Sequence, residues 1–228
     1  MEIALSKAWD YLRTQNPKYL GGSTGAVLMT LPNGEQVVVK RGAHPKHITN
    51  EYDMNRYLDK LGLGVPKATL ERDRSGSPVM LTEYEEGARQ PSLSEPQDVR
   101  ALRQDFVPQA LIANWDVLGQ NMDNVLIRPD GTPTYVDVGG AGPYRAQGGE
   151  KGTAWSPDAN AELESMQSVM PHSEQVYGGM TPEELTESYD LYGGQDAMEQ
   201  AMSALRDSQT KNVMQQRIED VARRVDSL

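Results

Sequence analysis

The chain has 228 residues, 37% apolar and 24% charged, with a net charge of -11. That length supports one domain or two small lobes sharing a cleft, and the acidity argues against a nucleic-acid surface, which needs a basic face to displace counterions. With no cysteine there are no disulfides or thiolate metal sites, no apolar run reaches the ~18 residues of a membrane span, and the first residues lack the basic-then-apolar pattern of a leader, so a cytoplasmic protein is expected.

Residues 3–13 carry Leu5, Ala8, Trp9 and Leu12 at helical spacing. Gly21-Gly22-Ser23-Thr24-Gly25 is a flexible loop feeding a β-like stretch over 26–31. Asn33-Gly34 is a two-residue hairpin signal, and 35–41 returns as a β-branched strand ending in a lysine, Val37-Val38-Val39-Lys40. Residues 48–61 read as a helix with Ile48, Tyr52, Leu58 and Leu61 near one face, stopped by Gly62, Gly64 and Pro66. A short strand follows over 78–84, after a turn at Ser75-Gly76.

Residues 87–96, rich in Gly, Pro and Ser, form a connector. Ser94 and Gln97 are spaced for a capping box opening a helix with Val99, Leu102 and Phe106, which Pro108 is expected to break. Helical patterns then dominate to the end. Thr181-Pro182-Glu183-Glu184 gives a cap, an N1 proline and an acid at N3. Gly193-Gly194 precedes a helix with Met198, Met202 and Leu205, and Ile218, Val221 and Val225 mark the last one. The methionine stripe reads as core filling. The predicted division is a β-rich part over 1–86 and a helical part over 87–228, an α+β class.

One loop-strand region interrupts the helices between residues 114 and 142. Val125-Leu126-Ile127, a turn at Asp130-Gly131 and a strand over 135–138 make a hairpin that brings Asn124 to the mouth of one strand and Asp137 to the end of the other, with Asp116 in the loop leading in. Two like charges about 4 Å apart cost ~4 kcal/mol at an effective dielectric near 20. A divalent cation removes that cost, and Asp and Asn oxygens suit Mg2+ better than zinc. The glycine loop can cradle phosphates through its N–H groups, but no Lys-Ser/Thr pair follows it, so it is not a P-loop. In the strand ending at Lys40 the faces alternate. Val38 and Lys40 share one face, so Val38 can cover an adenine while Lys40 reaches phosphates. Glu51 is the first acid placed to hold a buried Lys40 charged. His44 and His47, with no third ligand candidate nearby, are expected to be surface residues.

This order of parts resembles that of the protein-kinase-like superfamily. Trp115-Asp116 through Asn124-Val125-Leu126-Ile127 is similar to the catalytic loops of the atypical branch, which includes HipA-like, actin-fragmin and phosphoinositide kinases. Val136-Asp137-Val138-Gly139-Gly140-Ala141 and Tyr144-Arg145-Ala146-Gln147-Gly148 also resemble kinase-like domains encoded by bacteriophages, which would put the protein in a host cytoplasm. The resemblance implies a two-lobed, ATP- and Mg2+-dependent kinase acting on a protein hydroxyl, with no nucleic-acid or membrane partner. It implies Asp116 as the catalytic aspartate, Asn124 and Asp137 as metal ligands, and Lys40 with Glu51 as the phosphate-binding pair. Gly21 to Gly25 would cover the phosphates, and Glu83, Tyr84 and Glu85 would form the adenine hinge. The usual Asp-to-Asn spacing selects Asn121 instead of Asn124, and strand placement favours Asn124. Asn114-Trp115 replaces the family's His-Arg, Val138 replaces the Phe of Asp-Phe-Gly, and no Ala-Pro-Glu element is found. Adenylyl transfer on the same fold, or a catalytically silent nucleotide-binding scaffold, are the alternatives.

Overall fold

The computed structural model describes residues 17–21, 25–169 and 172–228. The helix read over 3–13 and the loop residues Gly22, Ser23 and Thr24 lie outside them. Strands β1 (Lys18–Gly21), β2 (Ala26–Thr30), β3 (Gln36–Lys40), β4 (Ala68–Arg72) and β5 (Pro78–Glu83) form an antiparallel sheet in the order β1-β2-β3-β5-β4. Helix α1 (Pro45–Leu61) lies between β3 and β4 in sequence. It starts three residues before the expected position because His44 caps it, accepting from the His47 N–H, and Pro45 sits in its first turn. The Asn33-Gly34 turn is longer than the two-residue form. Leu31 N–H donates to Glu35 O at 2.7 Å around Pro32, Asn33 and Gly34, and Gly34 takes φ +89°.

One face of the sheet buries Met29, Leu31, Val39, Val79 and Leu81, with Val27 and Val37 packed on them. The other face meets α1 through Ile48, Ala68 and Met80. The opposite side of α1, with Met54, Tyr57, Leu58 and Leu61, belongs to the large core of the helical part. A single helix thus anchors both halves.

The helical part contains α2 (Pro96–Gln104), α3 (Phe106–Leu111), α4 (Asn160–Ser165), α5 (Ser173–Val176), α6 (Pro182–Leu191), α7 (Gly194–Ala201) and α8 (Ser208–Asp226). The chain breaks at Asp105, and Pro108 lies inside the first turn of α3. A first-turn proline is tolerated because its missing N–H would have had no intrahelical partner. Ser94 forms no capping box, and the cap position of α2 falls on Glu95 with no side-chain cap. The Thr181–Glu184 box forms in both directions. Of the methionine stripe, Met198 is fully buried in the main core and Met202 is half-buried against it. Strands β6 (Val125–Ile127) and β7 (Pro133–Tyr135) pair antiparallel. The returning strand ends at Tyr135, so Asp137 stands in the loop beyond it. Among the described residues no helix is long and apolar enough to cross a membrane.

Candidate active site

Lys40 is the last residue of β3 and is 4% exposed. Val37 and Val39 turn into the sheet core, and alternation sends Val38 and Lys40 to the other face. Val38 stands in register with Leu28 and Thr82 there. Lys40 Nζ donates to Glu51 Oε1 at 2.6 Å and to Val136 O at 2.7 Å, and lies 3.9 Å from Asp137 Oδ2. The strand lysine, the helix glutamate and the aspartate loop therefore meet at one ammonium. Burial lowers the Lys40 pKa, but the fields of Asp137 and Glu51 and the Glu51 hydrogen bond outweigh it and leave the pKa raised. Lys40 stays charged.

Tight turns carry the chain from α3 to Asp116. Trp115 N–H donates to Ala113 O at 2.9 Å, Val117 N–H to Asn114 O at 3.2 Å and Gly119 N–H to Asp116 O at 3.1 Å. Asn124 ties the parts together. Its Nδ2 donates to Asp116 O at 2.6 Å, and its own carbonyl accepts from Val136 N–H at 2.9 Å and Asp137 N–H at 3.4 Å. Gly119 makes room for this. At φ +73° it adopts a backbone that L side chains avoid, and a Cβ there would lie 2.4 Å from Asp123 Oδ1 and 3.1 Å from Asn124 Oδ1. Burial raises the Asp116 pKa, the Asn124 hydrogen bond lowers it, and the charges of Asp137 and Asp123 add to the rise. Asn121 is exposed, and its carbonyl accepts from Gln90 Nε2 at 3.4 Å.

Asp137 Oδ1 accepts from Gly139 N–H at 2.9 Å, which leaves Oδ2 on the side of Lys40. Asn124 donates through its amide nitrogen to Asp116 O, and its Oδ1 is the atom that could meet a cation. Among the described residues no cluster of three or more His, Cys, Asp or Glu side chains is arranged for a metal. The oxygen pair does fit a hard cation that draws its remaining ligands from phosphate and water, as Mg2+ does in nucleotide sites.

The segment after Asp137 is pinned from two sides. On α1, His47 is fully buried, against the surface position expected from sequence. Its Nδ1 accepts from Ala43 N–H at 3.1 Å. The proton is then on Nε2, which donates to Gly139 O at 2.9 Å. Asn50 Nδ2 donates to Ala141 O at 3.0 Å, and His44 Nε2 meets Gly148 O at 2.9 Å. From the helical side, Lys151 Nζ donates to Ala113 O at 2.8 Å, Gly140 O at 2.7 Å and Gly142 O at 2.8 Å. One buried ammonium thereby joins the loop before Asp116 to the loop after Asp137. Burial pulls its pKa down to about 6, while the three carbonyls match the three N–H bonds of the charged form. Sequence reading missed Lys151, whose partners lie 38, 11 and 9 residues away. His47 had a signal, since it precedes Glu51 by four residues on the same helical face.

In the sheet half, Gly25 takes φ +71° immediately before β2. Glu83 and Tyr84 are exposed at the end of β5. Glu83 N–H is spent on Lys67 O at 3.0 Å. The Glu85 carboxylate turns to the β6–β7 hairpin, where Arg128 donates to it at 2.7 and 2.9 Å and Thr134 at 3.0 Å. Arg128 holds its pKa below the usual glutamate range.

No family model and no curated protein matches the chain. Solved structures do. The Helicobacter pylori proinflammatory kinase CtkA aligns over 92% of this chain and 95% of its own, at 13% identity and a TM-score of 0.56. HipA of Shewanella oneidensis, solved with HipB and operator DNA, aligns over 93% of this chain and 65% of its own, at 13% identity and a TM-score of 0.41. An aminoglycoside phosphotransferase of Alicyclobacillus acidocaldarius aligns over 94% and 93%, at 11% identity and a TM-score of 0.40. The chain thus shares the α+β fold of the CtkA kinase structure, as the order of its motifs implied.

Proposed function

We propose that the chain is an ATP- and Mg2+-dependent phosphotransferase acting on a protein hydroxyl, with 1–86 as its nucleotide lobe and 87–228 as its catalytic lobe. The observation that carries this reading is the meeting of Lys40, Glu51 and Asp137 beside an Asn124 bonded to the Asp116 backbone. Lys40 is charged and aimed, so it can hold phosphate oxygens. Val38, with Leu28 and Thr82 in register, floors the adenine site, and Glu83 to Glu85 border it. Asp137 and Asn124 would hold Mg2+, which neutralises phosphate charge when bound. Asp116 orients the acceptor hydroxyl and takes its proton. The acceptor oxygen bonds to the γ-phosphorus, the bond from that phosphorus to the β–γ bridging oxygen breaks, and ADP leaves with the electron pair. Most of the acceleration would come from positioning and charge.

The test uses ATP labelled at the γ or the α phosphate, with Mg2+ and protein acceptors. Label transferred from γ only, lost in Asp116→Ala while calorimetry still finds Mg-ATP binding, is the expected result. Transfer from α would replace the reading with adenylyl transfer. Activity of Asp116→Ala equal to the parent would remove Asp116 from its role, and no transfer with intact nucleotide binding would leave a scaffold.

A further inference from the structure

We infer that Arg145 forms an oxyanion subsite beside Asp116, so that the acceptor is a hydroxyl-bearing peptide segment with a carboxylate or phosphate close to the hydroxyl. This deepens the phosphotransferase reading and rests on it.

Arg145 is exposed, and its guanidinium stands 5.1 Å from the centre of the Trp115 ring. Among the described residues that side chain makes no hydrogen bond and no ion pair, so its N–H donors are unspent. Its backbone is fixed. Arg145 N–H donates to Gly149 O at 2.8 Å, and Arg145 O accepts from Gly148 N–H at 2.8 Å. The aromatic platform is fixed as well. Trp115 Nε1 donates to Glu162 Oε1 at 3.3 Å, and Glu162 Oε2 is held at 2.8 Å by Arg217, a fully buried residue that also donates to Leu111 O at 2.7 Å. An arginine stacked on an aromatic ring keeps its planar fork free for bidentate capture of a carboxylate or phosphate.

The placement is next to the reacting centre. Trp115 immediately precedes Asp116, and consecutive Cα atoms are ~3.8 Å apart. A Cβ built on Gly140 would lie 3.3 Å from Asp116 Cβ and 3.5 Å from Ala146 N, so the Arg145–Ala146 backbone and Asp116 flank the same glycine. The Arg145 guanidinium is the exposed cation on that ring, because Lys151, 4.6 Å from the ring centre, is buried and spends its N–H bonds on three carbonyls. In a chain of net charge -11, this is a local positive spot at the mouth of an acidic site. It would draw an anionic segment whose hydroxyl then reaches Asp116.

The experiment compares three serine peptides that differ at the residues flanking the serine, carrying glutamate, phosphoserine or glutamine. Each is assayed for γ-label transfer. Each is also titrated calorimetrically, with alanine in place of the acceptor serine, so that binding is read without chemistry. Full-length parent, Arg145→Ala and Arg145→Glu are used. Expected are tighter binding of the glutamate or phosphoserine peptide than of the glutamine peptide, and a rise in peptide KM of about tenfold or more in Arg145→Ala. The KM for ATP should not change, and Arg145→Glu should turn the preference toward the glutamine peptide. Preference for phosphoserine alone names phosphate as the group read, and preference for both names any oxyanion. Equal binding of all three peptides, or an acidic preference surviving in Arg145→Ala, overturns the proposal. Binding that depends on Arg145 without transfer of label from γ would keep the subsite and reject the phosphotransferase reading.

Discussion

Lys40 and Lys151 are buried to the same depth, each 4% exposed, and they are held in opposite ways. Lys40 faces two carboxylates, and its pKa is raised despite burial. Lys151 faces three carbonyls and an indole, with no carboxylate bonded to it, and burial pulls it down to about 6. Counter-charges keep a cation ready to meet a ligand. Neutral dipoles use a cation to hold the backbone. In the proposed reading the first lysine serves the nucleotide, and the second serves the shape of the loops carrying Asp116 and Asp137.

The contrast predicts different failures. Lys151→Met strands three buried carbonyls at ~1–3 kcal/mol each, so its melting temperature should fall by at least ~6 °C. A melt within about 2 °C of the parent would show that the cradle is not structural. Lys40→Met should instead lose phosphoryl transfer while leaving the far core intact. Its stability deficit should also depend on pH. Without Lys40, the pKa of buried Glu51 lies above its unfolded value, so stability persists at acid pH and is lost as pH rises through the folded pKa. Denaturant melts of this variant at pH 5 and pH 8 showing equal deficits would break the distinction.

Asp105 offers a smaller test with the sign of the charge reversed. It is a buried acid with hydroxyl donors and no cation bonded to it. Tyr135 donates to it at 3.0 Å, Tyr192 donates to the other oxygen, and burial pushes the carboxyl up to about 6. A folded pKa above the unfolded one gives stability that is full below the unfolded value and lost as pH rises through the folded one. The loss should accumulate between about pH 4 and pH 6 and total ~3 kcal/mol. Asp105→Asn should flatten that slope in denaturant melts. An unchanged slope would mean that the two tyrosines stabilise the ion as well as a counter-charge does.

Much of this was legible in the chain. Alternation put Val38 and Lys40 on one face, the helical register offered Glu51, and Asp130-Gly131 announced the hairpin presenting Asn124 and Asp137, because each of these rests on local spacing. Strand β4 went unread, since Ala68-Thr69-Leu70-Glu71-Arg72 is short and ends in two charges, and its place is set by pairing with β5. His47 was assigned to the surface because pairing histidines as metal ligands ignored its helix face. Lys151 and Arg145 left no local signal. Their roles depend on a turn after Asp137 that folds back onto Trp115, and chain-distant contacts of that kind leave no period to detect.

That turn has a consequence in time. The segment from Gly139 to Lys151 is fastened by His47, Asn50 and His44 on one side and by Lys151 on the other. Those bonds hold the segment in one arrangement from both sides. A phosphotransferase of the kind proposed above, built this way, would need no priming event, and its progress curve should be linear from the first seconds, with no lag that preincubation with ATP abolishes. Output would then follow the number of molecules made, and control would rest with synthesis and destruction of the chain.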